Sequence, residues 1–271
     1  MGVRKDRRDA ELAGARAAAR LTVRVALFSD VHGNLRGLDA CLDDLAQQGG
    51  ADLMVGAGDY CMDGPRPREV LERLAACGAV CVRGNTDRWV GDASLTVGAA
   101  EDDEELAQLA WQREQLGPEW TRWLGALPFA HRIGEGGEAL LVVHANPQND
   151  EEHIWPDAAD AFLERITAGV AERAIAFGHL HLPYVRLWRD RLFVDVASAG
   201  LPKDGDPRAG YAILTQRSGG WEVKLRRVPF DVDKVVKDIE KSGMPGRKKR
   251  ISVLRRHRYK ELNGPASTGS A

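Results

Sequence analysis

Hydrophobic positions follow two different periods in the first third of the chain. Short apolar runs at 23–29, 52–59 and 79–87 are rich in β-branched residues and predict buried strands. Between them, apolar residues recur at helical spacing at 35–48 and 67–78, and glycines close both stretches. Strands that alternate with helices are typical of a parallel sheet with helices packed on it, so the pattern predicts an α/β fold.

The pattern changes between about residues 89 and 127, where it predicts one or two amphipathic helices. We interpret this segment as a helical cap inserted beside the sheet. Its residues Trp111, Trp120 and Trp123 suit packing positions of such helices better than a base-stacking platform. Stacking stays open as an alternative for a nucleotide substrate.

Strand signals return in the second half of the chain. A hairpin through Ser218-Gly219-Gly220 is predicted to join the last two strands, and these closely connected late strands predict a second, mixed sheet. One further helix is predicted at 157–170. The predicted strands of this half are 139–145, 174–181, 191–198, 210–216 and 219–230.

Composition changes this picture little, since 44% hydrophobic and 29% charged residues in a chain of 271 are ordinary for one globular domain. We predict a mobile N-terminal extension at 1–20, one domain at 21–242 and a basic C-terminal tail at 243–271.

The net charge of −2 gives no overall attraction to nucleic acid. The cysteines lack the spacing of a disulfide framework, and no segment has the character of a signal peptide or a membrane span. These features predict a cytoplasmic protein without a membrane partner, and none of them selects an oligomeric state.

The tail contains the basic run "RKKRISVLRRHRYK", which has two interpretations. We favour an exposed basic helix in which Ile251 and Leu254 rest on the body of the protein. The alternative is a surface for nucleic acid or another polyanion, with affinity that depends on salt.

Candidate chemistry is concentrated where the predicted strands end. A single histidine or a D-x-H pair is a weak signal, but several such groups at neighbouring strand ends predict a metal site. The set exceeds what one ion needs, and it suits two ions if one carboxylate bridges them. Two ions about 3.5–4 Å apart can clamp a phosphoryl group and lower the pKa of a shared water, which supplies a hydroxide nucleophile. The residues are Asp30, His32, Asp59, Asn85, His144, His179 and His181.

Five ordered motifs, "SDVHGN", "GAGDY", "RGNTD", "VVHANP" and "FGHLH", resemble those of the calcineurin-like metallophosphoesterases, within them the small bacterial and archaeal phosphodiesterases. The resemblance implies a four-layer αββα sandwich of two mixed sheets. It also implies that Asp30, His32 and His181 hold one ion, that Asp59 bridges, and that Asn85, His144 and His179 hold the other. Manganese is the ion that the resemblance favours, and iron, zinc or nickel also suit this ligand set.

One departure from the family pattern affects the chemistry. Thr86 stands where many members carry a histidine beside the metal-binding asparagine, and threonine cannot carry a proton at neutral pH. His131, His153, Arg83 and Arg88 are candidates for a replacement donor.

Four further assignments concern residues beside the metal ligands. Asn34 is predicted to act in catalysis and to face the phosphate, or to form a turn. Asp87 is also predicted to act in catalysis, by orienting Asn85 or Thr86, or else only to cap the following turn. Arg83 and Arg88 are predicted to bind substrate, and solvated charges are the alternative.

The leading functional hypothesis is a two-metal phosphodiesterase that acts on small or cyclic nucleotides. Alternatives are a protein phosphatase, a dinucleoside polyphosphate hydrolase, a nuclease that uses the basic tail, and a binding or scaffold protein that keeps the fold without catalysis.

Overall fold

A computed structural model of the protein describes residues 22–92, 94 and 103–257. The predicted N-terminal extension and the last fourteen residues lie outside this part of the chain. The strands of the described residues are β1 (Arg24–Phe28), β2 (Leu53–Gly56), β3 (Val80–Cys81), β4 (Ala130–Ile133), β5 (Leu140–Val143), β6 (Ala174–Phe177), β7 (Tyr184–Trp188), β8 (Arg191–Asp195), β9 (Ala209–Arg217) and β10 (Gly220–Val228). The α-helices are α1 (Leu35–Gln47), α2 (Pro67–Ala76), α3 (Asn85–Gly91), α4 (Asp103–Gly125), α5 (Asp160–Ile166), α6 (Val232–Ser242) and α7 (Arg247–Arg256).

The strands form two mixed five-stranded sheets. The first has the order β10-β9-β1-β2-β3, with β1, β2 and β3 parallel, β9 antiparallel to β1, and β10 antiparallel to β9. The second has the order β4-β5-β6-β8-β7, in which β5, β6 and β8 are parallel and the two edge strands are antiparallel. The parallel strands of both sheets are the ones that the apolar runs predict.

Strand β1 shows how the layers are built. Its residues point alternately to opposite faces, so Val25 and Leu27 pack between the two sheets while Ala26 and Phe28 pack under α1 and α2. On the second sheet, Phe177 faces outwards to Leu163 of α5. Helix, sheet, sheet and helix thus form four layers, and the predicted αββα sandwich is confirmed.

The helices of the predicted cap pack on the outer face of the first sheet. Leu109, Leu116 and Leu124 of α4 join the core cluster that contains α1 and α2. Gly117 has φ of 70° and is followed by Pro118, and together they bend α4. Arg113 donates to the carbonyls of Val90 and Trp89, which places a cation at the carboxyl end of α3.

The late hairpin does not build the second sheet, as the sequence pattern suggested, but extends the first one. Strand β9 pairs with the free edge of β1, with Arg24 opposite Thr215. Its residues are buried on both faces, because Ala212 packs between the sheets and Tyr211 packs under the helices. Strand β9 is therefore an interior strand of the first sheet, and β10 pairs with it on the outer side.

The basic segment after Gly243 is partly anchored. Leu254 of α7 is buried and Ile251 is half-buried, both in an apolar cluster with Val235 and Ile239 of α6. The favoured interpretation, a basic helix resting on the body of the protein, agrees with this packing.

In the part of the chain that the structure describes, no helix has both the length and the apolar character needed to cross a membrane. The cysteines Cys41, Cys61, Cys77 and Cys81 are unpaired thiols. Cytoplasmic localisation stays a prediction.

Candidate metal centre

The predicted ligands meet at the carboxyl ends of strands in both sheets. Asp30 follows β1, Asp59 follows β2, His144 follows β5, and His179 and His181 follow β6. The turns after β1 and β2 are tied together, because the backbone N–H of Asp30 donates to the Gly58 carbonyl and that of His32 to the Asp59 carbonyl, both at 3.0 Å.

These turns hold an uncommon backbone conformation. Five residues that carry candidate ligand side chains have φ between 47° and 65°, in the left-handed region, which costs a non-glycine residue about 1–3 kcal/mol. Such strain persists only where the surrounding contacts impose it. Here it turns consecutive polar side chains into one crevice directly after a strand. The five are Asp30, His32, Asp59, His179 and His181.

The first cluster consists of Asp30, His32 and His181. The Nδ1–H of His32 donates to the Met62 carbonyl at 2.8 Å, and that of His181 donates to the Leu201 carbonyl. Both rings therefore turn Nε2 towards the crevice, and these two atoms lie 3.3 Å from each other. Asp30 Oδ1 lies 3.1 Å from His181 Nε2 and is buried without a hydrogen-bond partner.

The second cluster consists of Asp59, His144 and His179, with Asn85 beside them. The Nδ1–H of His144 donates to the Ala57 carbonyl at 2.8 Å, and the Nε2–H of His179 donates to the Glu151 carbonyl at 2.7 Å. His144 Nε2 then lies 3.1 Å from His179 Nδ1, 3.0 Å from Asn85 Oδ1 and 3.5 Å from Asp59 Oδ1.

Both clusters fit metal ions, because each brings imidazole nitrogens and a carboxylate oxygen within 4.8 Å of one another. Asp59 faces both, since its Oδ2 lies 3.9 Å from His32 Nε2 while its Oδ1 faces His144. Burial lowers the pKa of His181 to about 4, against the opposing charge of Asp30, so this imidazole is neutral at pH 7. Burial and the neighbouring His144 lower the pKa of His179 to about 2.

The carboxylates attract positive charge to the same place. Burial raises the pKa of Asp30, but the surrounding imidazoles, above all His181, outweigh burial and hold that pKa well below its ordinary value. Burial lowers the pKa of His144, but Asp59 and Asp30 outweigh it and raise that pKa. A divalent cation would satisfy this demand for positive charge.

Asp87 supports Asp59 rather than facing the crevice. Its carboxylate accepts from the backbone N–H groups of Asp59 at 2.7 Å, Gly84 at 2.9 Å and Tyr60 at 3.1 Å. Burial, followed by the charge of Asp59, raises the pKa of Asp87 to about 7. The structure thus places Asp87 at the start of α3, where it fixes the turn that carries Asp59.

The amide of Asn34 is occupied by the backbone. Its oxygen accepts from Gly37 N at 3.0 Å, which caps α1, and its nitrogen donates to the Gly200 carbonyl at 2.8 Å. Arg83 and Arg88 both lie against the buried carboxylate of Asp150. The structure gives all three residues partners within the protein.

Thr86, at the position of the family histidine, contributes its backbone N–H to Asp59 Oδ1 at 3.0 Å. Its hydroxyl is buried without a hydrogen-bond partner. Of the proposed replacement donors, His153 lies closest to the clusters, with its ring centroid 4.1 Å from that of His179. His131 lies instead on the edge strand β4, opposite Val142.

Two neighbours of the centre were missed by the sequence analysis. Trp155 stacks on His153 with ring centroids 5.7 Å apart and is 41% exposed, which extends an aromatic stack outwards from His179. The Lys203 ammonium faces Asp30, Asp63 and Asp59, and burial lowers its pKa against the opposing effect of these carboxylates. Neither residue lies in a metal-ligand motif, so the sequence gives no sign that they lie near the centre.

Comparisons with known proteins agree with this geometry. The model of the calcineurin-like phosphoesterase family matches residues 23–203. An uncharacterized protein of Methanocaldococcus jannaschii is 26% identical over 239 residues, which cover 82% of this chain and 93% of that protein. Among solved structures, a metallophosphoesterase from Sphaerobacter thermophilus has a TM-score of 0.67 and 26% identity, covering 87% of this chain and 99% of that one. A protein from Pyrococcus horikoshii OT3, with a TM-score of 0.75, 22% identity and coverage of 87% and 98%, shares the fold.

Proposed function

The chain belongs to the calcineurin-like phosphoesterase family, whose members are metal-dependent phosphoester hydrolases, and from this premise we propose that it hydrolyses a phosphodiester bond of a small or cyclic nucleotide. One observation carries the proposal: two adjoining clusters of candidate ligand atoms lie on either side of the carboxylate of Asp59.

The proposal assigns one divalent ion to Asp30, His32 and His181 and a second to Asn85, His144 and His179, with Asp59 between them. When bound, two such ions lower the pKa of a water that they share and provide the nucleophile. Manganese is proposed because the family resemblance favours it, and the mixed nitrogen and oxygen ligand set also suits iron, zinc or nickel.

The protein's own part is to fix the ligands before the substrate arrives. Four backbone carbonyls accept the distal N–H of four imidazoles, and this sets which nitrogen of each ring faces the centre. Asp87 holds the Asp59 turn through the backbone N–H groups of Asp59 and Tyr60. Because these contacts exist without substrate, little reorganisation is needed when the reaction begins.

Thr86 limits the leaving groups that the site can expel. Its buried hydroxyl can donate a hydrogen bond to a phosphoryl oxygen, but it cannot deliver a proton to a leaving group at neutral pH. Loss of a positioned acid typically costs about 10²- to 10⁴-fold in rate. Substrates whose leaving oxygen needs little protonation therefore suit this site best.

The preference for a nucleotide follows from the aromatic stack of His153 and Trp155 beside His179. Base-to-aromatic stacking contributes about 1–3 kcal/mol and tolerates any base. Lys203 adds a cation that faces the carboxylates of the centre and complements a phosphate.

The test is the hydrolysis of bis-p-nitrophenyl phosphate by metal-stripped protein with manganese added back. Asn85→Ala removes one proposed ligand, and Leu187→Ala, on an exposed strand edge away from the centre, is the control. Manganese-dependent turnover that is lost in Asn85→Ala and kept in Leu187→Ala supports the proposal. Absence of turnover in the wild-type protein for this diester and for nucleotide diesters would favour a binding protein on the same fold.

A further inference from the structure

Helices α6 and α7 lie beyond the residues that match the family model, yet they pack directly beneath the first cluster. A cavity of only about 10 Å³ separates His32 from Val235, Ile239 and Leu254. This volume is at the lower limit for a single water molecule, so the helices and the loops of the metal centre are closely packed.

Arg250 of α7 makes the polar part of this contact. Its guanidinium nitrogen Nη2 lies 2.8 Å from Asp63 Oδ1, with side chains that are 13% and 18% exposed. Gln108 of α4 completes a triad, because its amide donates to Asp63 Oδ1 at 3.0 Å and its oxygen accepts from Arg250. Asp63 has φ of 78°, so the triad holds a strained loop residue in place.

The loop held by this triad sets the orientation of His32. Asp63 follows Met62, whose carbonyl accepts the Nδ1–H of His32 at 2.8 Å. On its other side, Gly64 lies against the backbone of His32 so closely that an added Cβ would stand 1.7 Å from the His32 carbonyl oxygen. A movement of Asp63 is therefore transmitted to His32 from both sides.

The apolar part of the contact sets the orientation of His181 in the same way. The carbonyl of Leu201 accepts the Nδ1–H of His181. The Leu201 side chain is buried in one apolar cluster with Val235 and Ile239 of α6 and Leu254 of α7. The carbonyls of Met62 and Leu201 thus orient both imidazoles of the first cluster, and the segments that carry these carbonyls contact the C-terminal helices.

We propose that the C-terminal helices position two ligands of the metal centre for the first ion. Arg250 positions His32 by acting through Asp63, and Leu254 positions His181 by acting through Leu201. The proposal rests on the proposed function, in which these histidines bind a metal. Arg250 is a positioning residue, since it is linked to His32 through Asp63 and the neighbouring Met62 carbonyl.

Replacing Arg250 should lower the affinity for only one of the two ions. Removing a group that orients a metal-binding histidine typically lowers metal affinity about 10–100-fold. His144 and His179 take their orientation from Ala57 and Glu151, which are not contacts of Arg250. Arg250→Ala should therefore weaken one Mn²⁺ site by this factor and leave the other unchanged.

The experiment is Mn²⁺ binding to the metal-stripped full chain by isothermal titration calorimetry, with two sites expected in the wild-type protein. Arg250→Lys keeps the charge and should recover part of the lost affinity. The matched control is Arg226→Ala, which breaks a comparably buried arginine–aspartate pair with Asp44 on the first sheet's outer edge. If Arg250→Ala does not fold, Asp63→Asn removes the charge pair at nearly the same volume and makes the same test.

Each outcome bears on the proposal. Selective weakening of one site in Arg250→Ala, with both sites intact in Arg226→Ala, supports it. Two unchanged sites in Arg250→Ala, or equal weakening of both sites in both variants, overturns it and leaves the proposed function standing. A wild-type protein that binds no Mn²⁺ overturns the proposed function and this proposal together.

Discussion

Replacing Arg88 with alanine tests whether this arginine binds substrate, as the sequence suggested, or holds the second cluster in place. Its guanidinium donates to the two oxygens of Asp150 at 3.1 and 3.2 Å and also to Glu151. The backbone carbonyl of Glu151 accepts the Nε2–H of His179 at 2.7 Å. Loss of Arg88 should therefore loosen the loop that orients one candidate ligand.

The magnitude follows from burial. Asp150 is 9% exposed and Arg88 is 24% exposed, and removing one partner of a fully buried pair costs about 3–5 kcal/mol because the other charge stays buried. Arg88 is only partly buried, and Arg83 remains 3.4 Å from the same carboxylate. We therefore expect a loss of about 2 kcal/mol, which lowers Tm by roughly 4–8 °C for a domain of this size.

The assay is thermal unfolding of Arg88→Ala, Asp150→Ala and the double variant, followed by circular dichroism, together with Mn²⁺ titration and kinetics on a diester. The double-mutant cycle should give a coupling of about 1 kcal/mol or more between the two side chains. The control is Arg189→Ala, whose pair with Glu164 is exposed and should contribute within about 0.5 kcal/mol.

The two hypotheses for Arg88 predict different results in these measurements. A positioning role predicts a lower Tm and a weakened second Mn²⁺ site, with little change in KM once metal is saturating. A raised KM with unchanged Tm and unchanged metal binding would refute the reasoning and restore the substrate-binding interpretation.

Three further outcomes are expected. Burial raises the pKa of Asp195 well above its ordinary value. The unfolded chain loses this proton above about pH 4 while the folded protein keeps it. The free energy of unfolding therefore falls as the pH rises from about 4 towards the raised pKa. Asp195→Asn should remove this fall in a series of Tm measurements against pH, and an unchanged profile would contradict it. Trp155→Ala should raise KM about 5- to 100-fold for a nucleotide diester but not for a dialkyl phosphodiester, and equal effects on both substrates would exclude a base-stacking role. Truncation after Gly243 should lower Tm because it removes the buried Leu254 and the Arg250 ion pair, whereas a tail that only binds polyanions would leave Tm unchanged.

The sequence predicted the parts of the fold in which periodicity and burial agree. The strands β1, β2, β5 and β6 are covered on both faces, so they are continuous apolar runs, and the polar residues that follow them are conspicuous. The edge strands β4 and β7 were missed because each buries only its last residue, Ile133 or Trp188, and charged residues interrupt the apolar positions of both.

The sequence could not show which sheet the late hairpin joins or which groups hold the ligands in place, and the reason is different. The β9–β10 hairpin has a clear local signal, but its pairing with β1 depends on a contact between residues about 190 positions apart, such as Arg24 and Thr215. The groups that orient the histidines are backbone carbonyls, which carry no residue signature. Arg83 and Arg88 are similar, because the sequence shows their charge but not the buried Asp150 that accepts it.

The left-handed turns that carry five of the candidate ligands have a consequence for how such a chain would change over generations. Each of these positions is held against about 1–3 kcal/mol of strain, and glycine, or in part asparagine, would relieve it. While the centre is in use, selection opposes those replacements. In a descendant kept only as a binding scaffold, the same replacements would be stabilising, so the metal centre is expected to erode first at its most strained turns.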